Sequence, residues 1–200
     1  MKQLLLAALL SAGLPADADT AVLGALDACV GDQFEQRVEV RFIEWQYLQC
    51  RGDPAACPEP ELNRRGLAEA VARRCALTAV MECRFVNDPN ACFDELSSRF
   101  EDYALEVRGR LPDPEDSDAF EGLNRFSIQP TRNAIMEFDA GANWLLDVLP
   151  NPVMTFPDCY SYVLAIPDTM DGRIACEALA AKTRWLRIRG IEQRLEGAAD

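Results

Sequence analysis

Beyond its first eighteen residues the chain is patterned at helical spacing, and no segment shows the apolar-polar alternation between hairpin turns that marks a strand. Phe34, Val38, Phe42 and Trp45 recur at steps of three and four within a helical region from Thr20 to Cys50, which Gly31-Asp32 is placed to bend or break. The stretch from Arg51 to Pro60 carries Gly52, Pro54 and Pro58 and cannot continue a helix. A second helix is predicted from Glu61 to Phe85. Its apolar stripe is Leu67, Val71, Cys75, Thr78, Met81 and Phe85, and Arg64, Arg65, Arg73 and Arg74 form a basic flank expected to meet acidic neighbours. After the turn Asn87-Asp88-Pro89-Asn90, Asn90 is placed as N-cap of a third helix running to Arg110. Phe93, Leu96, Phe100, Tyr103, Val107 and Leu111 make its face the cleanest amphipathic pattern in the chain.

An acidic, proline-bearing connector follows over residues 112–118. The pattern then predicts a short helix from Asp118 to Phe126, and another opened by Pro130 at its first position and reaching Leu149 before Pro150-Asn151-Pro152. Residues 150–168 read as irregular, with one helical turn around Tyr160 to Leu164. A last helix from Asp171 to about Leu195 carries Ile174, Leu179, Trp185, Ile188 and Leu195. The predicted fold is all-α, five or six helices arranged as antiparallel hairpins.

The N-terminus reads as a secretory signal. Lys2 precedes an apolar run, Leu4 to Leu14, too short to span a bilayer, and Ala16-Asp17-Ala18 is a small-x-small cleavage site, so residues 1–18 are the expected signal and 19–200 one mature helical domain in the periplasm or outside the cell. Cleavage removes Lys2 and Asp17 and leaves the net charge at −13. That field has the wrong sign for a polyphosphate backbone and suits a basic partner or simple solubility. Eighteen of the twenty basic residues are arginine, whose planar fork pairs with carboxylates. No later stretch of about 20 residues is apolar enough to span a membrane.

In an oxidising compartment the eight cysteines read as disulfides. Eight allow on the order of a hundred connectivities. Cys75 and Cys83 on one helix would be about 12 Å apart along its axis, beyond disulfide reach. Cys50 with Cys57, Cys83 with Cys92, and Cys159 with Cys176 each flank a turn or irregular segment, which would leave Cys29 for Cys75.

The chain has no histidine, so Ser-His-Asp and Cys-His arrangements are excluded, and no cysteine pair has zinc-knuckle or redox spacing. Gly122, Gly141 and Gly172 are isolated, outside any phosphate-binding motif. Neither cofactor nor metal is expected. Paired carboxylates acting on glycosides remain a minority reading, with Glu44 beside Trp45 or Glu137 near Asp139 as candidates; exposed helix carboxylates are far commoner. Trp45, Trp144 and Trp185 sit in apolar helical patterns that point to packing. The connector carboxylates Asp113, Glu115, Asp116 and Asp118 form either a solvated linker or an acidic finger that meets a basic partner.

Asp158-Cys159-Tyr160, followed by Ala175-Cys176-Glu177-Ala178-Leu179-Ala180-Ala181-Lys182-Thr183-Arg184, resembles the C-terminal part of the LprI-like lysozyme-inhibitor family. Leu62-Asn63 ahead of Cys83 and Ala91-Cys92-Phe93-Asp94-Glu95-Leu96, with Arg99 following, adds to the likeness. A Gln-x-x-Trp segment shortly before a cysteine, also found in the family, has no counterpart here. Leu123-Asn124 ahead of Cys159 and Cys176 repeats the Leu-Asn pair, suggesting two degenerate copies of one unit, 19–111 and 119–200. The resemblance implies a small secreted or periplasmic helical protein, non-enzymatic, that inhibits a basic cell-wall hydrolase such as a lysozyme. The competing expectation is a structural or envelope-maintenance protein that docks another envelope protein through an apolar helix face. Oligomeric state is not encoded in these patterns.

Overall fold

The computed structural model describes residues 18–50, 53, 60–141 and 171–199. Among these the fold is all-α, six α-helices with two short 3-10 turns and no strand. The expected signal, residues 1–18, lies outside the described residues except for Ala18, and so do the irregular region 150–168 and Trp144.

α1 (Ala18–Val30) buries Val22, Leu23, Leu26 and Cys29 along one side and ends where Gly31 N–H donates to the Asp27 carbonyl and Gln33 N–H to that of Ala28. The break expected at Gly31-Asp32 is therefore a three-residue turn, across which Gln33 N–H reaches five residues back and Phe34 N–H only three, to Gly31. α2 (Phe34–Gln49) follows and buries only Phe34 and Val38.

α3 (Pro60–Glu82) opens on proline at its first position, where no intrahelical N–H partner is needed, and tightens into a 3-10 turn over Cys83–Phe85. Its buried face differs from the expected stripe. Val71 and Cys75 are buried as expected, but Thr78, Met81 and Phe85 are exposed, and Ala72, Ala76, Ala79 and Val80 lie inside. The reason is tertiary: α3 touches α1, α2 and the last helix, Gly172–Ala199, so it needs a wide buried arc, and alanines let neighbouring helices approach closely.

α4 (Pro89–Arg110) starts two residues before expectation. Asp88, not Asn90, is the N-cap: its carboxylate accepts from Ala91 N–H at 3.0 Å, and Pro89 fills the first position. The Asn90 carboxamide instead accepts from Asp171 N–H at 2.7 Å, pinning the start of the last helix to the start of α4. Phe93, Leu96, Phe100, Val107 and Leu111 are buried as the periodicity predicts, and Tyr103 packs half-buried beside them.

After the connector, the helix expected over Asp118–Phe126 is only a 3-10 turn at Asp118–Phe120, anchored by fully buried Phe120. α5 (Arg125–Asp139) begins earlier than Pro130 because the Asn124 side chain accepts from both Phe126 and Ser127 N–H, a stronger start signal than the proline. Pro130 lies inside the helix on its exposed side, forgoing one backbone bond where water can serve. The helix stops at Asp139 rather than continuing toward Leu149, and Gly141 takes φ +71, a left-handed conformation open to a residue without Cβ. α6 (Gly172–Ala199) is longer than predicted; Asp171 caps it through a 2.8 Å bond from Arg173 N–H.

The pairing of α4 with α6 dominates the packing. Phe93, Leu96 and Phe100 of α4 meet Leu179, Trp185 and Ile188 of α6 in one contiguous core that also includes Leu26, Phe120, Ile135 and Phe138. Trp185 stacks on Phe100 at 5.5 Å and tilts against Tyr103. Residues on both sides of the connector thus share one core. Disulfides join Cys83 to Cys92, as the turn spacing predicts, and Cys29 to Cys75, the pair that the three turn-flanking pairs would leave. Cys50 and Cys176 are also disulfide-bonded; the expected pairings with Cys57 and Cys159 fall outside the described residues. No described helix is long and apolar enough to cross a membrane.

Candidate functional site

α1, α2 and α3 enclose between them a groove of about 620 Å³. Its floor is apolar, with Val22, Leu26, Val71 and the Cys29–Cys75 bridge. Such a volume lies in the range of ligand-sized clefts. The α2 wall carries Arg37, Val40, Arg41 and Glu44, and the α3 wall Arg74, Thr78 and Glu82. Arg41 is held by Glu44 at 2.7 Å and Arg37 donates to the Gln33 side chain at 2.8 Å. The groove is therefore a locally basic, apolar-floored spot on an acidic chain.

From the groove wall at Val40 outward, α2 presents Val40, Ile43 and Tyr47 at steps of three and four, with Leu48 beside them, and their exposures run from 51 % to 73 %. α2 thus has two apolar faces. The inner one carries Phe34, Val38 and a Phe42–Trp45 stack with ring centroids 5.7 Å apart, and the outer one faces water. On the α3 side Met81 and Phe85 are also exposed. Sequence reasoning found only the inner face; the outer one was visible as a second period-3.6 set on the same sixteen residues.

The connector carboxylates stay exposed, but two serve local turns. Asp113 accepts from Glu115 N–H at 2.8 Å and Asp116 from Asp118 N–H at 3.2 Å, while Arg132 donates to the Pro114 carbonyl and ties the connector to α5. Glu115 and Asp118 complete the acidic edge. The carboxylate pairs weighed for glycoside chemistry do not converge. Glu137 meets Arg187 at 3.5 Å, and Asp139 is gripped by Arg108 through two bonds of 2.7 and 2.8 Å. Glu44 shares the groove with Glu82, but both are exposed, whereas a general acid working near neutrality needs a desolvated carboxyl. Trp185 is core, and Trp45 is half-buried on Phe42.

In the basic flank on α3, Arg64 and Arg73 meet acids. Arg64 bonds Glu39 at 2.5 Å and lies 5.6 Å from the Phe42 ring centroid, and Arg73 bonds Glu69. Among the described residues no group of three or more Cys, Asp or Glu side chains is placed to hold a metal ion. Comparison of the chain with family models, with curated proteins and with solved structures returned no match.

Proposed function

We propose that the protein is a non-enzymatic binding protein of an oxidising envelope or secreted compartment, and that the outer face of α2 is what it presents to a partner protein. The observation that carries this reading is the exposed stripe Val40, Ile43 and Tyr47 with Leu48, on a helix that buries only two residues in its own core. Apolar side chains repeated at helical spacing mark interaction surfaces, and nothing among the described residues buries these four. The disulfides fit an oxidising compartment, where such bonds persist. A photoreactive phenylalanine derivative placed at Tyr47, with the same group at exposed Asp102 as control, tests it in the native envelope fraction. One protein crosslinked from position 47 and lost on Ile43→Asp supports the reading. Equal crosslinking from both positions rejects it.

A second reading, electrostatic inhibition of a basic lysozyme, draws on the net charge of −13 and on the exposed edge of Asp113, Glu115, Asp116 and Asp118. Inhibition at low ionic strength that weakens with salt and disappears when all four are made amides supports it. No inhibition at low salt removes lysozyme as the target.

A further inference from the structure

A second recess, of about 340 Å³, opens between α1, α4 and α6 and holds three guanidinium groups against two carboxylates. The carboxylates are already matched. Asp27 accepts from the Tyr103 hydroxyl and lies 3.6 Å from Arg99, and Glu106 pairs with Arg110 at 2.7 Å. Arg110 also reaches Glu192 at 2.6 Å. The third guanidinium, Arg189, has no hydrogen-bonded or ion-paired carboxylate among the described residues, and its Nε–H is buried without an acceptor. Two aromatic rings lie beside it instead: the Phe34 ring centroid is 4.2 Å away and that of Trp185 6.0 Å. Contact with aromatic faces compensates a desolvated cation in part and offers no lone-pair acceptor to its N–H donors.

We propose that this recess is a binding site for a carboxylate group, with Arg189 as its anchor. An unpaired, partly buried guanidinium is the group whose pairing with a carboxylate fork gains most, because its desolvation has already been met in the folded protein. Burial pushes Arg189 below the usual arginine range, Arg110 pushes the same way, and Glu192, Glu196 and Glu35 oppose them. Glu35, Glu192 and Glu196 act on Arg189, and each further negative charge on a ligand works against them, so a monoanion is favoured over a dianionic phosphate. Of the apolar lining residues Val30 is partly exposed, whereas Val107 and Trp185 are buried and offer little surface, so the recess suits a small apolar body behind the carboxylate. The carboxylate has two possible sources, a small organic acid or the C-terminus of a polypeptide.

Titration of the full mature chain with benzoate, followed by the arginine Nε–H resonances in nitrogen-15 NMR, tests the site. Arg189 is identified by the resonance that Arg189→Lys removes. Benzoate should shift it saturably with a dissociation constant of about millimolar or tighter, and neutral benzamide should bind at least about tenfold more weakly, the factor expected from a 1.4 kcal/mol loss. Arg189→Met should abolish saturable binding while leaving the thermal midpoint unchanged or higher; Arg189→Gln serves if the methionine variant does not fold. A tripeptide with a free C-terminus, against its C-terminal amide, identifies the source: tighter binding of the free peptide than of benzoate assigns the site to a protein end, the reverse to a small acid. Equal response to benzoate and benzamide, the same shift with sodium chloride at matched ionic strength, or unchanged binding by both variants overturns the proposal.

Discussion

Removing the two described disulfides one at a time separates chain entropy from packing. Cys29–Cys75 closes a loop with sequence separation 46, and Cys83–Cys92 one with separation 9. If a crosslink stabilises chiefly by limiting the unfolded chain, the entropy relation gives about 4 kcal/mol for the first and about 2.6 for the second, a difference of about 1.5 kcal/mol. Packing ranks them the other way. Cys83 and Cys92 are each 0 % exposed, whereas Cys29 is 9 % and Cys75 4 % exposed, so truncation at the shorter loop removes sulfur from the denser surroundings. Alanine pairs are the right perturbation, because serine would bury a hydroxyl without a partner. Urea unfolding of Cys29→Ala/Cys75→Ala and Cys83→Ala/Cys92→Ala, read by helical circular dichroism without reductant, should place the first variant lower by about 1.5 kcal/mol. That corresponds to a thermal midpoint about 3–6 °C below the other for a domain of this size. A shorter-loop variant that is equally or more destabilised would refute the entropic ordering.

Three further effects are expected. A Cβ on Gly122 would press on the Ala198 carbonyl, so Gly122→Ala should cost about 1–3 kcal/mol, whereas Gly24→Ala, on the exposed side of α1 with open space around it, should stabilise by about 0.5–1 kcal/mol in the same denaturant assay. Burial, and then the bond to Asp27, push the Tyr103 phenol above its ordinary value of 10.0, so the folded state holds this proton more tightly than the unfolded chain. Its contribution is fully present below that pH and is lost as pH rises beyond it. Tyr103→Phe should therefore be less stable than wild type near neutrality and show a shallower fall in thermal midpoint above pH 10.0; parallel curves would contradict this.

What the sequence by itself determined is whatever depends on local geometry. The 3.6-residue period of α4 placed Phe93, Leu96, Phe100 and Val107 inside, and the turn between Cys83 and Cys92 announced their bond because its ends must meet. The absence of strand alternation likewise stood for an all-helical fold. Capping choices were harder. Asn90 against Asp88, and Pro130 against Asn124, are decided by which side chain reaches an unpaired N–H, a matter of an ångström that composition does not carry. The inner face of α3 was decided by the tertiary structure, because three neighbours select small side chains over the most hydrophobic ones. So was the recess at Arg189. Its groups come from α1, α4 and α6, and only the α4–α6 pairing, across ion pairs such as Arg184–Glu101 and Arg110–Glu192, brings them within reach. Local patterns report where a helix runs and which residues it could bury. Which face is covered, and which charge is left without a partner, follows from packing between segments far apart in the chain.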